Sequence, residues 1–199
     1  MRRLMGVLSL VVGLGVFTPG EALAADEEGR SSDGPFARGR PGGLFDTSPQ
    51  ERSAKLSLFA IVPWWYGFGI GAGVRYELPI VPEGFIPKLN DSFELEFGGD
   101  LWYGSRGFGG SGYSYTGIGL PVEGRWTFHF SPKFAAYGKV GLGWHFLFWS
   151  DDIGGGSAFS TGGLYWNTAT GVLYQLSDSL WLRGEVGYRG LKLGVSLKF

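Results

Sequence analysis

Beyond residue 53 the chain alternates apolar residues with small or charged ones in run after run, the period-2 pattern of extended strands. In 68–78 Phe68, Ile70, Ala72, Val74, Tyr76 and Leu78 oppose Gly69, Gly71, Gly73, Arg75 and Glu77. In 93–103 Phe93, Leu95, Phe97, Leu101 and Tyr103 oppose Glu94, Glu96, Gly98 and Asp100. Residues 118–130 set Ile118, Leu120, Val122, Trp126, Phe128 and Phe130 against Gly119, Glu123, Arg125, Thr127 and His129. The same rule holds over 134–148, where Val140, Leu142, Trp144, Phe146 and Phe148 oppose Tyr137, Lys139, Gly141, Gly143 and His145. It holds again over 180–188, with Leu182, Val186 and Tyr188 against Arg183, Glu185 and Gly187. With weaker strands at 55–62 and 164–175 and a last one over 190–199, eight strands are predicted.

The apolar face carries bulky aromatics on almost every strand, while the opposite face is rich in glycine and charge. In a narrow barrel the bulky face belongs outside and the small one inside, the reverse of a soluble ligand-binding barrel. Such an exterior is one continuous sticky patch in water but is matched to its surroundings in lipid. A membrane tolerates sheet only as a closed barrel without unpaired edges. The expected fold is therefore all-β: an eight-stranded antiparallel transmembrane β-barrel over residues 54–199. Aromatics at the predicted strand ends make two girdles. Trp64, Trp65, Tyr66, Tyr103, Trp144, Trp149, Trp166 and Tyr188 form one level, and Phe93, Phe130, Phe134 and Tyr174 the other.

Short connections at 131–133 and 177–179 belong in the periplasm, and the long stretches 104–114 and 149–163 outside the cell. The long connection 79–90 is out of place on the periplasmic side.

The first 24 residues bring in targeting. Two arginines, an apolar run from Leu4 to Phe17 and the Ala22-x-Ala24 pattern form a secretory signal peptide, with cleavage expected after Ala24. Residues 25–53 mix Gly, Pro, Ser and both signs of charge, as a flexible periplasmic segment does. The sequence has no cysteine, which excludes disulfides and lipid attached through a thiol. A formal charge of −1 with no basic block gives no electrostatic footing for nucleic acid.

Signal peptide, eight alternating strands and the final GVSLKF together resemble the small outer-membrane β-barrels of the OmpA/OmpX/OmpW type. The resemblance implies location in the bacterial outer membrane among lipid and lipopolysaccharide. It also implies insertion by the barrel assembly machinery, with Gly194, Val195, Leu197 and Phe199 as the assembly signal. A monomer is expected.

Candidate chemistry is sparse. Arg75, Glu94, Glu96, Asp100, Glu123, Arg125, Lys139, Arg183 and Glu185 share the inward phase and form a predicted lumen network, with Arg75 expected near Glu94 and Glu96. Eight strands leave little bore, so these charges are expected to pair and plug it rather than line an ion path. His129 and Ser131 have the His-x-Ser spacing of lipid A deacylases, but lie at the wrong end for outer-leaflet chemistry. His145, with Ser150, Asp151 and Asp152, lies nearer the outer rim. Asp151 and Asp152 lack the further ligands a calcium site needs. GFGIGA at 67–72 has the glycine spacing of a dinucleotide loop but falls inside a strand. No cofactor, metal or enzymatic activity is expected. The expected role is structural or surface interaction; the alternative is a narrow channel or lateral conduit for small or apolar molecules, and the third is lipid A modification.

Overall fold

The computed structural model describes residues 40–64, 68–107, 112–151 and 159–199. The signal peptide at 1–24, the stretch 25–39, Trp65, Tyr66 and Asp152 lie outside the described residues. Eight strands follow one another: β1 (Lys55–Pro63), β2 (Phe68–Val81), β3 (Asp91–Gly107), β4 (Gly112–Ser131), β5 (Phe134–Asp151), β6 (Phe159–Gln175), β7 (Leu180–Gly187) and β8 (Gly190–Lys198). Each pairs antiparallel with its neighbours, and β8 pairs with β1 to close the barrel.

Sheet continues well into both stretches expected as long loops. The β3–β4 ladder runs to Gly107↔Gly112 and the β4–β5 ladder to Tyr113↔Asp151. Glycine and serine had marked these stretches as loops, yet pairing with an adjacent strand carries the ladder into them.

The strands are staggered. From Pro63 the pairs step through Gly190, Gly187, Ala169, Lys139, Arg125, Glu94 and Pro79, and the β1–β2 register, extended two positions past its last pair Lys55↔Glu77, returns to the level of Ser53, ten residues from the start. Such a shear tilts strands about 35–45° to the barrel axis. Residues paired across a ladder therefore lie at different heights, and side chains at one height come from strands that are not neighbours.

Faces divide as the alternation predicts. Arg75, Glu96, Arg125 and Arg183 are 0% exposed inside, while Val140 is 64%, Leu142 55% and Leu193 57% exposed on the outer face. This is the inversion that lipid demands. Close approach of neighbouring strands explains some of the inward glycines. A Cβ on Gly194 would fall 2.0 Å from the Leu58 carbonyl oxygen of β1, at the seam that closes the barrel.

Of the girdle residues, Trp64, Tyr103, Trp144, Trp166 and Tyr188 are exposed on the outer face, and Trp166 stacks on Tyr188 at 4.8 Å. Trp149 corrects the expectation. On β5 the outward phase is Trp144, Phe146 and Phe148, so Trp149 has the inward parity and packs on Trp102, Tyr115 and Leu147 in the upper bore. Its place near a strand end had suggested a girdle; its parity decides otherwise.

Phe199 is exposed with its ring 6.0 Å from that of Tyr76, beyond a strand held at both edges. Deleting Phe199 or replacing it with Asp is expected to lower insertion while leaving export intact. Levels of heat-modifiable barrel in isolated membranes measure this, and unchanged levels would remove the assembly role.

Candidate functional site: a charged barrel interior

The end bearing the β2–β3, β4–β5 and β6–β7 connections is called the lower end below. The middle of the bore is built from charges that the inward parity of six strands, β2 to β5, β7 and β8, delivers to one place. Glu96 of β3 sits at its centre, accepting from Arg183 Nη2 at 2.8 and 2.9 Å and from Arg125 Nη1 at 2.6 Å, with Lys139 Nζ at 3.4 Å. Arg183 also donates to Glu77 at 2.7 Å and to the Tyr137 hydroxyl at 2.9 Å. Its guanidinium lies between the rings of Tyr137 and Phe59, 4.9 Å from each centroid. Lys139 bridges Glu123 and Glu185 at 2.8 Å each. Glu94 accepts from Thr127 at 2.8 Å and from Ser92 at 2.6 Å, with Arg125 Nε at 3.3 Å.

Arg75 corrects one expected pairing. It clamps Asp100 with two bonds of 2.8 and 2.7 Å and reaches Glu123 at 3.3 Å, rather than meeting Glu94 and Glu96. The strand tilt is the cause: its side chain joins groups at its own height, not those opposite on the ladder.

All nine predicted lumen residues point inward. Three further members belong with them: Glu77, held by Ser57, Arg183 and Arg125; Lys192, 3.2 Å from Asp100; and Asn167, donating to Glu123 at 2.6 Å. Parity alone places Glu77 and Lys192 on this face, so both were within reach of the sequence. Every one of these charges has a counter-charge close by, the condition for keeping ions out of water.

Aromatic side chains occupy the bore above the charges. Trp102, Tyr115 and Leu147 are buried together, and Arg189 lies 3.8 Å over the ring of Tyr165. The indole of Trp102 needs Gly117, where a Cβ would come within 2.2 Å of it. Between the two layers lies a cavity of about 40 Å³ lined by Arg75, Asp100, Trp102, Tyr165 and Lys192. That is room for about one water molecule.

His129 and Ser131 are each engaged elsewhere. Both ring nitrogens of His129 are engaged, Nδ1 with Arg52 at 3.2 Å and Nε2 with Ser92 at 3.0 Å. Ser131 instead accepts the amides of Lys133 and Phe134 in the β4–β5 turn. His145 lies against Tyr165 at 5.7 Å, and Ser150 and Asp151 pair with Ser114 and Tyr113 at the far end of the β4–β5 ladder. The glycines of 69–71 are strand residues of β2, as the sequence indicated.

No family model and no curated protein matches the chain. Among solved structures it is similar to the attachment invasion locus protein Ail of Yersinia pestis, at 14% identity over 75% of this chain and 100% of that one, with a TM-score of 0.48. It is also similar to a de novo designed transmembrane β-barrel, at 16% identity, 76% and 100% coverage and a TM-score of 0.43. Neisserial surface protein A follows at 15% identity, 74% and 95% coverage and 0.45. The closed eight-strand ladder, the apolar exterior and the charged interior identify the chain, on its own geometry, as a small transmembrane β-barrel of eight antiparallel strands.

Proposed function

We propose that the chain is a non-catalytic integral outer-membrane protein whose bore is sealed by its charge network and whose work is done at its surface. The observation that carries this is the convergence on Glu96 of Arg125, Lys139 and Arg183 in a bore of only eight strands. Charges so matched compete with any passing ion for the same partners. Lipid and lipopolysaccharide surround the barrel, the assembly machinery inserts it, and the lower end faces the periplasm.

The stepped upper rim supports a surface role. β6 begins at Phe159, but its pairing with β7 begins only at Ala169. The β2–β3 ladder likewise runs to Phe68↔Ser105, past the last β1–β2 pair, Ile61↔Gly71. Strands β3 to β6 thus rise above β7, β8 and β1, and the upper part of β6 has a ladder partner on one side only among the described residues. An edge of this kind accepts an added strand.

Planar-bilayer recording of the refolded barrel, with lipid A mass profiles of cells with and without the protein, tests the proposal. Silent bilayers and an unchanged lipid A profile are expected. Stable, selective currents would establish the conduit instead, and an altered lipid A profile the enzyme.

A further inference from the structure

The two segments without a strand pattern, residues 40–53 and the long β2–β3 connection, meet at the lower end of the barrel. Residues 40–53 run across the mouth as a strap, from Gly42 against the ring of Pro132 in the β4–β5 turn to Arg52 at the entry to β1. Asn90 holds the strap there. It donates its amide to Leu44 O at 2.7 Å and its side chain to Gly43 O at 3.2 Å, and its side-chain oxygen accepts from Arg52 Nη2 at 2.6 Å. Its carbonyl accepts from His129 N at 2.9 Å, which fastens it to β4. Within the strap Asp46 accepts from Ser48 and from Gly42 N, bonds that hold its carboxyl below the usual range. The segment expected as flexible over 25–53 is thus tied down over its described part.

The β2–β3 connection, unexplained by the sequence, has a polar side and an apolar side. Toward the strap it borders a cavity of about 220 Å³ lined by Asp46, Ser48, Gln50, Arg52, Glu83 and Asn90 among others. Away from the strap it folds back onto the outer wall of the barrel. Gly84 N donates to Val81 O at 3.1 Å, Gly84 turns with φ of 69°, and the Phe85 ring comes to rest 5.3 Å from that of Phe93 and 5.9 Å from that of Trp126. Phe93 and Trp126 face each other across the β3–β4 ladder in the outward phase, four residues along it from Phe97 and Val122, which are 42% and 52% exposed on the lipid face. Phe85 itself is 56% exposed. Asp91 is the reason the connection folds this way. It too has the outward phase, yet it is 1% exposed, because the Gly84 backbone lies against its carboxylate and Phe85 N and Trp126 Nε1 donate to Oδ2 at 2.9 and 2.7 Å. A carboxylate left bare on the lipid face would be costly, and the connection covers it.

We propose that the β2–β3 connection is an interfacial anchor, with Phe85 seated at the boundary between headgroups and acyl chains of the leaflet at the lower end. The ring continues the outward row of Phe93, Trp126 and Phe128 beyond the strands, and aromatic rings are favoured at this depth. In water the same ring would carry the sticky exterior past the membrane. The connection has one acid and one base, Glu83 and Lys88, so its hold is on the apolar boundary and not on anionic lipid. Asn90 ends the connection and fastens the strap, so an anchored Phe85 also steadies the strap across the mouth. The anchor rests on the transmembrane barrel and is independent of whether the bore conducts.

The test is NMR of the refolded full chain in phosphatidylcholine nanodiscs, with a nitroxide near the head or near the end of the acyl chains, or with a water-soluble gadolinium chelate. Two references calibrate it: Val140 methyl signals should be lost to the chain-end nitroxide, and the amide of the exposed Ser48 to the chelate. Phe85 ring signals should be lost to the nitroxide near the head and spared by the chelate, without any anionic lipid. Phe85→Ser should speed exchange of the Asn90 amide about tenfold or more, the effect of losing one apolar seat, whereas Phe85→Trp should leave it slow. If Phe85→Ser does not refold, the signal losses in the unmutated protein decide alone. Loss of the Phe85 signals to the chelate would put the connection in water and overturn the proposal. Sparing by every agent would mean that protein, a second copy of the chain in these preparations, covers the ring, and would overturn it equally. Sparing of Val140 would overturn the spanning barrel and the anchor with it, so the two failures are told apart.

Discussion

Glu96→Ala is expected to be the most damaging single change in the bore, at about 3–5 kcal/mol of refolding stability, because it removes one partner of a buried ion pair and leaves charge uncompensated. Three cations converge on this fully buried carboxylate, Arg125 at 2.6 Å, Arg183 at 2.8 Å and Lys139 at 3.4 Å. None can turn to water in so narrow a bore. Urea titrations of barrels refolded in lipid, followed by the electrophoretic shift of folded protein, measure the loss. Glu123→Ala should cost less, since Lys139 keeps Glu185 at 2.8 Å and Arg75 keeps Asp100 at 2.7 Å. Combining it with Lys139→Met should restore part of the loss, because members of one network couple by about 0.5–3 kcal/mol. A loss below about 1 kcal/mol for Glu96→Ala would be the value of a hydrated, screened pair, and would mean that water fills the bore.

Val140→Arg is expected to cost about 2–4 kcal/mol in the same titrations, the effect of a cation on the lipid face near the bilayer midplane. Val140 is 64% exposed on that face, about halfway along β5. Alternation alone makes its neighbour Gly141 a tolerant lumen position, where Gly141→Ser would be the mild control. The structure removes that control. A Cβ on Gly141 would lie 2.3 Å from the Val122 carbonyl oxygen and 2.6 Å from Glu123 Cα, both on the adjacent strand. Backbone cannot step aside as a side-chain tip can, so Gly141→Ser should also destabilise. Asn167→Ser is the better lumen control, since it removes one hydrogen bond to Glu123 without adding bulk. A Val140→Arg barrel as stable as the unmutated one would place that face away from hydrocarbon.

Alternation was sufficient for the strand count, the inverted faces and the membership of the charged interior. Period 2 is a local property, and a strand buried on one side and lipid-facing on the other must display it residue by residue. Arg75, Glu96, Arg125 and Arg183 were therefore legible as inward residues, and Glu77 and Lys192 equally so once parity was followed. Trp149 shows the same rule from the other side: its parity was in the sequence, and position near a strand end was the weaker guide.

Which inward charges meet was decided only by the tertiary structure. The stagger of ten residues around the barrel sends Arg75 to Asp100 and Glu123, and brings Arg183 of β7 onto Glu96 of β3. Shear belongs to the closed sheet as a whole, so no single strand encodes it visibly. Likewise, the composition of residues 40–53 is that of a linker, and the connection 82–90 offers no periodicity. They acquire structure by lying against each other, through Asn90, Arg52 and Asp91. Their order comes from contacts between segments distant in the chain, whereas the strands declared themselves because each repeats one local pattern imposed by lipid on one side and a narrow bore on the other.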